Sequence, residues 1–217
     1  MFALSLISPL ILLIGTVLGI VRSARNSAQE WIIWGFLVTA LTIEGLSLAA
    51  AYSPSENNLH FLSFSTFFEF VFFSVLYVYF FLQKRRNWLI WVLSGIALIL
   101  LIPLFSMTII ADLTKFHLYD RLLADWVLLL LSLLFLKDLL NDAKDVPKHR
   151  QFSSIIISFY LVVDMFMALT INFMVNEAPT LVTAFWLIRL AASLTLYSNL
   201  TYLIWLNGKK LRPSSFG

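Results

Sequence analysis

The sequence contains no cysteine and few charged residues for its length. Without cysteine, the 217-residue chain has no disulfide bond, no thiolate nucleophile and no cysteine-based metal site. Only 12% of its residues are charged, whereas a soluble domain has about a quarter, because its surface must face water. Hydrophobic residues make up 60% of the chain, and the mean hydropathy is +0.89. This composition excludes an ordinary water-soluble domain.

Several catalytic and binding motifs are also missing. The sequence has no GxSxG, HExxH or GxxxxGKS pattern, which argues against common hydrolases and phosphate-loop proteins. No lysine lies inside an apolar stretch, so a retinal Schiff base is excluded. The three histidines (His60, His117 and His149) fall at opposite ends of the predicted spans, which argues against a multi-histidine zinc hydrolase. We therefore predict no cofactor.

The chain is rich in long apolar stretches separated by short polar breaks. Stretches of about 18 residues or more can cross a hydrocarbon core of roughly 30 Å as helix. We predict an all-α membrane protein with seven transmembrane helices, in which residues 1–217 form a single polytopic domain. The predicted helices cover about 4–22, 31–52, 60–83, 87–110, 119–139, 151–174 and 180–206.

Lysine and arginine are distributed unequally between alternate loops. The first, third and fifth loops and the tail carry twelve of them, whereas the loops on the other side carry two, Lys115 and Arg121. Because cytoplasmic loops are basic as a rule, the tail is predicted to lie in the cytoplasm and the amino terminus outside. The expected location is a bacterial inner membrane. The net charge of +3 is thereby explained without nucleic acid as a partner.

A weaker pattern suggests an internal repeat. When the chain is shifted by 120 residues, Glu44 falls on Asp164, Glu69 falls on Arg189, and the "LY" at 76–77 falls on the "LY" at 196–197. Three helices, a linking helix and three more helices would form a 3+1+3 parallel repeat, as in SWEET-type sugar transporters. The Pro-Gln pair typical of those transporters is missing, so the analogy concerns architecture alone.

Ionisable residues inside the predicted helices are the candidate site. An ionisable side chain at the centre of a membrane helix costs about 2.5–3.5 kcal/mol on insertion scales, so each one needs a partner or a function. At 1.5 Å per residue, four of them lie about 12–15 Å below the outer surface. A fifth, Asp125, lies about 9 Å down its helix. The four deep residues are Glu44, Glu69, Asp164 and Arg189.

This layer predicts a polar pocket on the outer side of the bilayer centre. Glu69 and Glu44 are the expected ligands or proton carriers, since carboxylates suit a proton, a hard cation or an organic ammonium group. Arg189 and Asp164 are expected to form an ion pair that shapes the pocket. In the structural alternative, the same arginine only ties helix 7 to a neighbouring helix.

Three segments resemble a known group of proteins. They are "ALTIEGLSLAAAY", "LHFLSFSTFFEFVFFSVLYVYFF" and "LYSNLTYLIWL". Together they resemble small uncharacterised seven-helix integral membrane proteins of Bacteroidota. The resemblance implies the seven-helix architecture and gives weight to Glu44 and Glu69. It also adds Asn199 on helix 7 to the candidate ligands, although an interhelical hydrogen bond is an alternative role for that residue.

The sequence therefore favours a membrane protein that binds or transports a proton, a metal ion or a small cationic solute. Two alternatives remain open. One is a seven-helix sensor or accessory subunit that acts through a membrane or cytoplasmic protein partner. The other is an intramembrane hydrolase that uses a pair of carboxylates as general acid and base.

Overall fold

The chain is helical throughout the part that the structure describes. The computed structural model describes residues 6–22, 27–51, 60–82, 87–106, 119–141 and 147–207, and these segments contain helices and no strand. This confirms the predicted all-α fold. The α-helices of these segments are α1 (Ile7–Val21), α2 (Ala28–Ala51), α3 (His60–Leu76), α4 (Asn87–Ser106), α5 (Tyr119–Asn141), α6 (Lys148–Glu177) and α7 (Pro179–Asn207), and a π-helical turn (Tyr77–Phe81) extends α3.

Helix length and composition identify a helical membrane protein. Among the described residues, four helices are long and apolar enough to cross a membrane. Helices α1 and α4 are apolar but shorter, and α5 carries charged residues near both of its ends. The four long spans are Ala28–Ala50, Phe61–Phe81, Lys148–Ile171 and Thr180–Leu206.

Local sequence signals fix where several helices begin. Ser27 precedes α2, and its backbone N–H donates to the carboxylate of Glu30. This is one half of a capping box, and it starts α2 before the predicted position 31. Pro179 is the first residue of α7, where a missing N–H costs nothing. Pro147 precedes α6, which also begins earlier than predicted.

Six of the described helices form a ring, and α4 packs outside it. Neighbours around the ring follow the order α1, α2, α3, α5, α6 and α7, and α7 closes it against α1. Helix α4 packs mainly on α3. A peripheral fourth helix is the position that the linking helix of a 3+1+3 repeat would take. The repeat itself stays a prediction.

Helix α1 packs closely through two glycines. An added Cβ at Gly19 would lie 1.9 Å from Cδ1 of Trp34, and one at Gly15 would lie 2.5 Å from Oγ1 of Thr201. The indole N–H of Trp34 donates to the carbonyl of Thr16 at 3.0 Å. The spacing Gly-x-x-x-Gly gives a helix a flat face, so neighbouring helices can approach it closely.

The π-helical turn at the end of α3 places a tyrosine hydroxyl among serines. The turn is closed by the N–H of Leu82, which donates to the carbonyl of Tyr77 at 2.8 Å. The hydroxyl of Tyr77 lies 3.0 Å from Oγ of Ser154 on α6. Arg150 donates to the carbonyl of Phe80 at 2.9 Å, and so binds a carbonyl of the widened turn.

Candidate functional site

A cavity of about 380 Å³ opens between α1, α2, α3, α6 and α7. Its wall is mixed, with two carboxylates, one guanidinium, several hydroxyls and a set of apolar and aromatic side chains. A volume of this order suits a small molecule. The lining residues on which the chemistry depends are Ser8, Glu44, Glu69, Tyr160, Arg189 and Tyr197.

Glu44 on α2 is held in the cavity wall by hydroxyl groups. Oγ of Ser8 lies 2.9 Å from one of its carboxylate oxygens and 2.8 Å from the other. The hydroxyl of Tyr197 donates to the first oxygen at 3.1 Å. Within the described segments, no lysine, arginine or histidine pairs with Glu44. Hydroxyl groups therefore hold this carboxylate, and no cation among those residues bonds to it directly.

Glu69 on α3 has the opposite environment, because it is buried and paired. Its first oxygen accepts from Ser65 at 2.8 Å. Its second oxygen accepts from the hydroxyl of Tyr160 at 3.0 Å and from Nη2 of Arg121 at 3.1 Å. Three donors and one positive charge thus satisfy this carboxylate, although part of it still lines the cavity.

A chain of charges runs from Glu69 to the cavity wall at α7. Arg121 on α5 bonds Glu69 and also donates through Nε to Asp164 on α6. The other oxygen of Asp164 accepts from Nε of Arg189 at 2.6 Å. The predicted ion pair between Arg189 and Asp164 is therefore present. It is one link of a longer network that joins α3, α5, α6 and α7.

Arg121 is a member of the ion-pair network that the sequence alone does not point to. The charge count assigns it to the fourth loop, and this is wrong, because the residue lies in the first turn of α5 and is only 2% exposed. A signal was present in "YDRLLAD". Arg121 and Asp125 stand four residues apart, so they share one face of a helix. That face proves to be the buried one.

Asp125 is buried but does not line the cavity. Its side chain is 3% exposed, and its Oδ2 atom has no hydrogen-bond partner among the described residues. A buried carboxyl oxygen without a donor is costly if the group is charged. Asp125 interacts electrostatically with Asp164 and Arg121 of the ion-pair network, and it does not line the cavity that holds Glu44 and Glu69.

Asn199 lies apart from the other candidate ligands. It is not among the residues that line the cavity, and its Oδ1 accepts from Ser153 on α6 at 3.2 Å. This is an interhelical hydrogen bond between α6 and α7, the alternative role raised from the sequence. Its Nδ2 is buried without a partner among the described residues.

The arrangement is a cavity of mixed lining whose charged residues come from α2, α3 and α7, beside an ion-pair network that joins α3, α5, α6 and α7. In the described ranges, no three His, Asp or Glu side chains are grouped to hold a metal ion. Comparison with known proteins found no matching protein family, no similar curated protein and no similar solved structure. The class that fold and site define is thus a helical membrane protein with a buried ion-pair network beside a solute-sized cavity.

Proposed function

We propose that this chain is a multi-pass membrane protein that binds, and moves across the bilayer, a small solute with a cationic group. Glu44 is the principal ligand for that group, and Glu69 is the second acid at the site. The observation that carries the proposal is that Glu44 lines the cavity and makes no ion pair with any described residue. A cation in the cavity would supply that partner.

The lining of the cavity favours an organic ammonium group over a bare ion. Aromatic residues stand in the wall beside Glu44, and ring faces attract organic cations in a water-poor site. These rings belong to Phe61, Tyr160, Trp186 and Tyr197. A proton is the second candidate, because a carboxylate held only by hydroxyls can take one up without breaking an ion pair.

We propose seven spans, with the amino terminus outside and the cavity on the outer side of the bilayer, in a bacterial inner membrane. Burial of Arg121 supports this orientation, because it removes one of the two basic charges assigned to the outer loops. The distribution becomes twelve against one, with Arg121 and Arg189 inside the helix bundle.

The ion-pair network gives the proposed transport step a physical basis. Arg121 and Arg189 both bond Asp164, so two helices are tied to α6 through one carboxylate. A cationic group that binds at Glu44 also faces the guanidinium of Arg189, and repulsion between the two positive charges would shift Arg189 relative to Asp164. We propose that this shift couples binding to movement of α7 against α6.

Thermal unfolding of the purified protein tests the proposal. Wild type, Glu44→Gln and Glu177→Gln are heated in detergent with a panel of alkylamines and inorganic cations, from pH 5 to 8. Glu177 is an exposed carboxylate at the end of α6 and serves as the matched control. We expect an amine to raise the melting temperature of wild type and of the control, but not that of Glu44→Gln.

Transport is then measured in proteoliposomes with the amine that binds. Uptake by wild type and Glu177→Gln, with none by Glu44→Gln, supports the proposal. If no cation stabilises the folded wild type at any pH, or if Glu44→Gln responds like the control, the proposed function is wrong. A protein partner that co-purifies from native membranes would then favour the sensor or accessory-subunit alternative.

A further inference from the structure

Arg189 presents unused donors to the cavity. Its Nε donates to Asp164 at 2.6 Å, and this is the one bond that its guanidinium makes within the described residues. Its side chain is 28% exposed, and the residue lines the cavity. The two Nη groups therefore remain available to a molecule in the cavity. Paired guanidinium N–H groups match the two oxygens of a carboxylate or the oxygens of a phosphate.

Glu44 and Arg189 line the same cavity without pairing with each other. Each bonds to other side chains, and the two make no ion pair, although both belong to the described segments. The fold keeps these two opposite charges apart although both line one cavity. A molecule in the cavity would therefore meet a hydrogen-bond acceptor at Glu44 and hydrogen-bond donors at Arg189.

We infer that the solute is zwitterionic. Its ammonium group binds Glu44, and its anionic group, a carboxylate or a phosphate, binds the Nη groups of Arg189. This inference rests on the proposed function and specifies the substrate class of the same site. The ligand is then an amino-acid-like solute, or a phosphoethanolamine group of the kind that lipids also carry.

The charges on the cavity wall explain why a zwitterion fits better than a simple amine or acid. A simple amine satisfies Glu44 but leaves Arg189 facing it, and the two positive charges repel each other. A simple acid satisfies Arg189 but faces the carboxylate of Glu44. Glu69 adds little to this choice, because Ser65, Tyr160 and Arg121 already donate to its two oxygens. The Nη groups of Arg189, in contrast, have no acceptor among the described residues. Only a molecule with both groups pairs with both walls.

Matched sets of ligands test the inference without relying on any variant. Each set contains an amino acid, the amine made by removing its carboxylate and the acid made by removing its ammonium group. The probes are the sets built on glycine, leucine, phenylalanine and 4-aminobutyrate, with ethanolamine and glycerophosphoethanolamine as the phosphate pair. Dissociation constants are measured by thermal shift and by isothermal titration in detergent. We expect at least one zwitterion to bind about tenfold tighter than its amine.

Two arginine variants show whether Arg189 makes the difference. Arg189→Lys keeps a positive charge for Asp164 but loses the paired N–H groups. We expect it to bind the amine as wild type does and to lose most of the preference for the zwitterion. Arg22→Lys, whose arginine bonds the carbonyl of Trp205, is the matched control and keeps the full preference.

Each result has one meaning for the inference. If an amine binds wild type and depends on Glu44, but no zwitterion in any set binds tighter, the inference is overturned and the proposed function stands. If neither amines nor zwitterions bind the folded protein, both are overturned. Tighter binding of glycerophosphoethanolamine than of every amino acid would identify the anionic group of the ligand as a phosphate. A preference for an amino acid would place it as a carboxylate.

Discussion

Arg121 and Asp164, 43 residues apart in the sequence, form a buried ion pair between α5 and α6, and each also bonds a second charged partner. Arg121 bonds Glu69, and Asp164 bonds Arg189. The four formal charges cancel, so the network as a whole is neutral. This balance is what permits four ionised groups to lie inside an apolar bundle, because each lone charge would otherwise carry a large desolvation cost.

Removal of Arg121 should damage the fold more than removal of any surface charge. Arg121→Gln leaves Glu69 and Asp164 facing each other with one cation fewer, and breaking a buried pair in this way costs about 3–5 kcal/mol. Thermal unfolding in detergent measures the effect. Lys137→Gln is the control, since Lys137 is exposed on the same helix. Equal melting temperatures for the two variants would contradict the buried network.

Replacement of Glu69 by glutamine should lower the melting temperature more than the same replacement of Glu44. Glu69→Gln removes a charged partner of Arg121, and a hydrogen bond to a charged group is worth about 1.5–3 kcal/mol. Glu44→Gln keeps an oxygen that can accept from Tyr197, and it leaves no cation behind. We therefore expect a lower melting temperature for Glu69→Gln than for Glu44→Gln. The reverse order would show that Glu44 has the structural role.

Glycine at position 19 should be required for the seating of α1. An alanine Cβ there would overlap the indole of Trp34, and overpacking of this kind costs about 1–3 kcal/mol. A Cβ added at Gly45 would meet no described atom within 4 Å, so Gly45→Ala is the matched control. Its effect should be neutral or slightly stabilising, because alanine favours helix over glycine. A Gly19→Ala protein as stable as this control would refute the close contact between α1 and α2.

The absence of native cysteine makes the orientation directly measurable. Lys148 and Glu177 stand at the two ends of α6, and both are exposed. With the tail in the cytoplasm, Glu177→Cys should react with an impermeant maleimide in intact cells whose outer membrane has been opened. Lys148→Cys should react only after the inner membrane is permeabilised. The opposite pattern would invert the proposed topology, and labelling of both sites in intact cells would mean that α6 does not span.

Much of the helical fold could be predicted from apolar length alone, because backbone groups in a bilayer must be satisfied within their own helix. The same rule made Glu44, Glu69, Asp164 and Arg189 conspicuous, since charge inside an apolar run has a cost. Arg121 could not be predicted as a buried residue because it stands close to a helix start. At that position the sequence does not indicate whether a basic residue faces water or the core. Only the packing of α5 against α3 and α6 decides between these two positions.

The partners of the candidate ligands were beyond sequence reasoning for a similar reason. Ser8 and Tyr197 are common residue types in membrane helices, and nothing in their local sequence marks them as neighbours of Glu44. They meet through the closure of the ring, which brings α1 against α7. Such long-range contacts depend on which helix faces pack together, and hydrophobicity that is nearly uniform around a helix does not specify its face.

The contacts of Glu44 also bear on how the protein is made. Ser8 is on α1 and Tyr197 is on α7, so a helix made before α2 and a helix made well after it hold the same carboxylate. During synthesis, α2 enters the bilayer before Tyr197 has been translated. Glu44 therefore lacks one of its two hydrogen-bond donor residues until α7 is made. The cavity is therefore complete only when α7 is inserted, and a chain whose synthesis stops before that helix lacks both Tyr197 and Arg189 from the cavity wall.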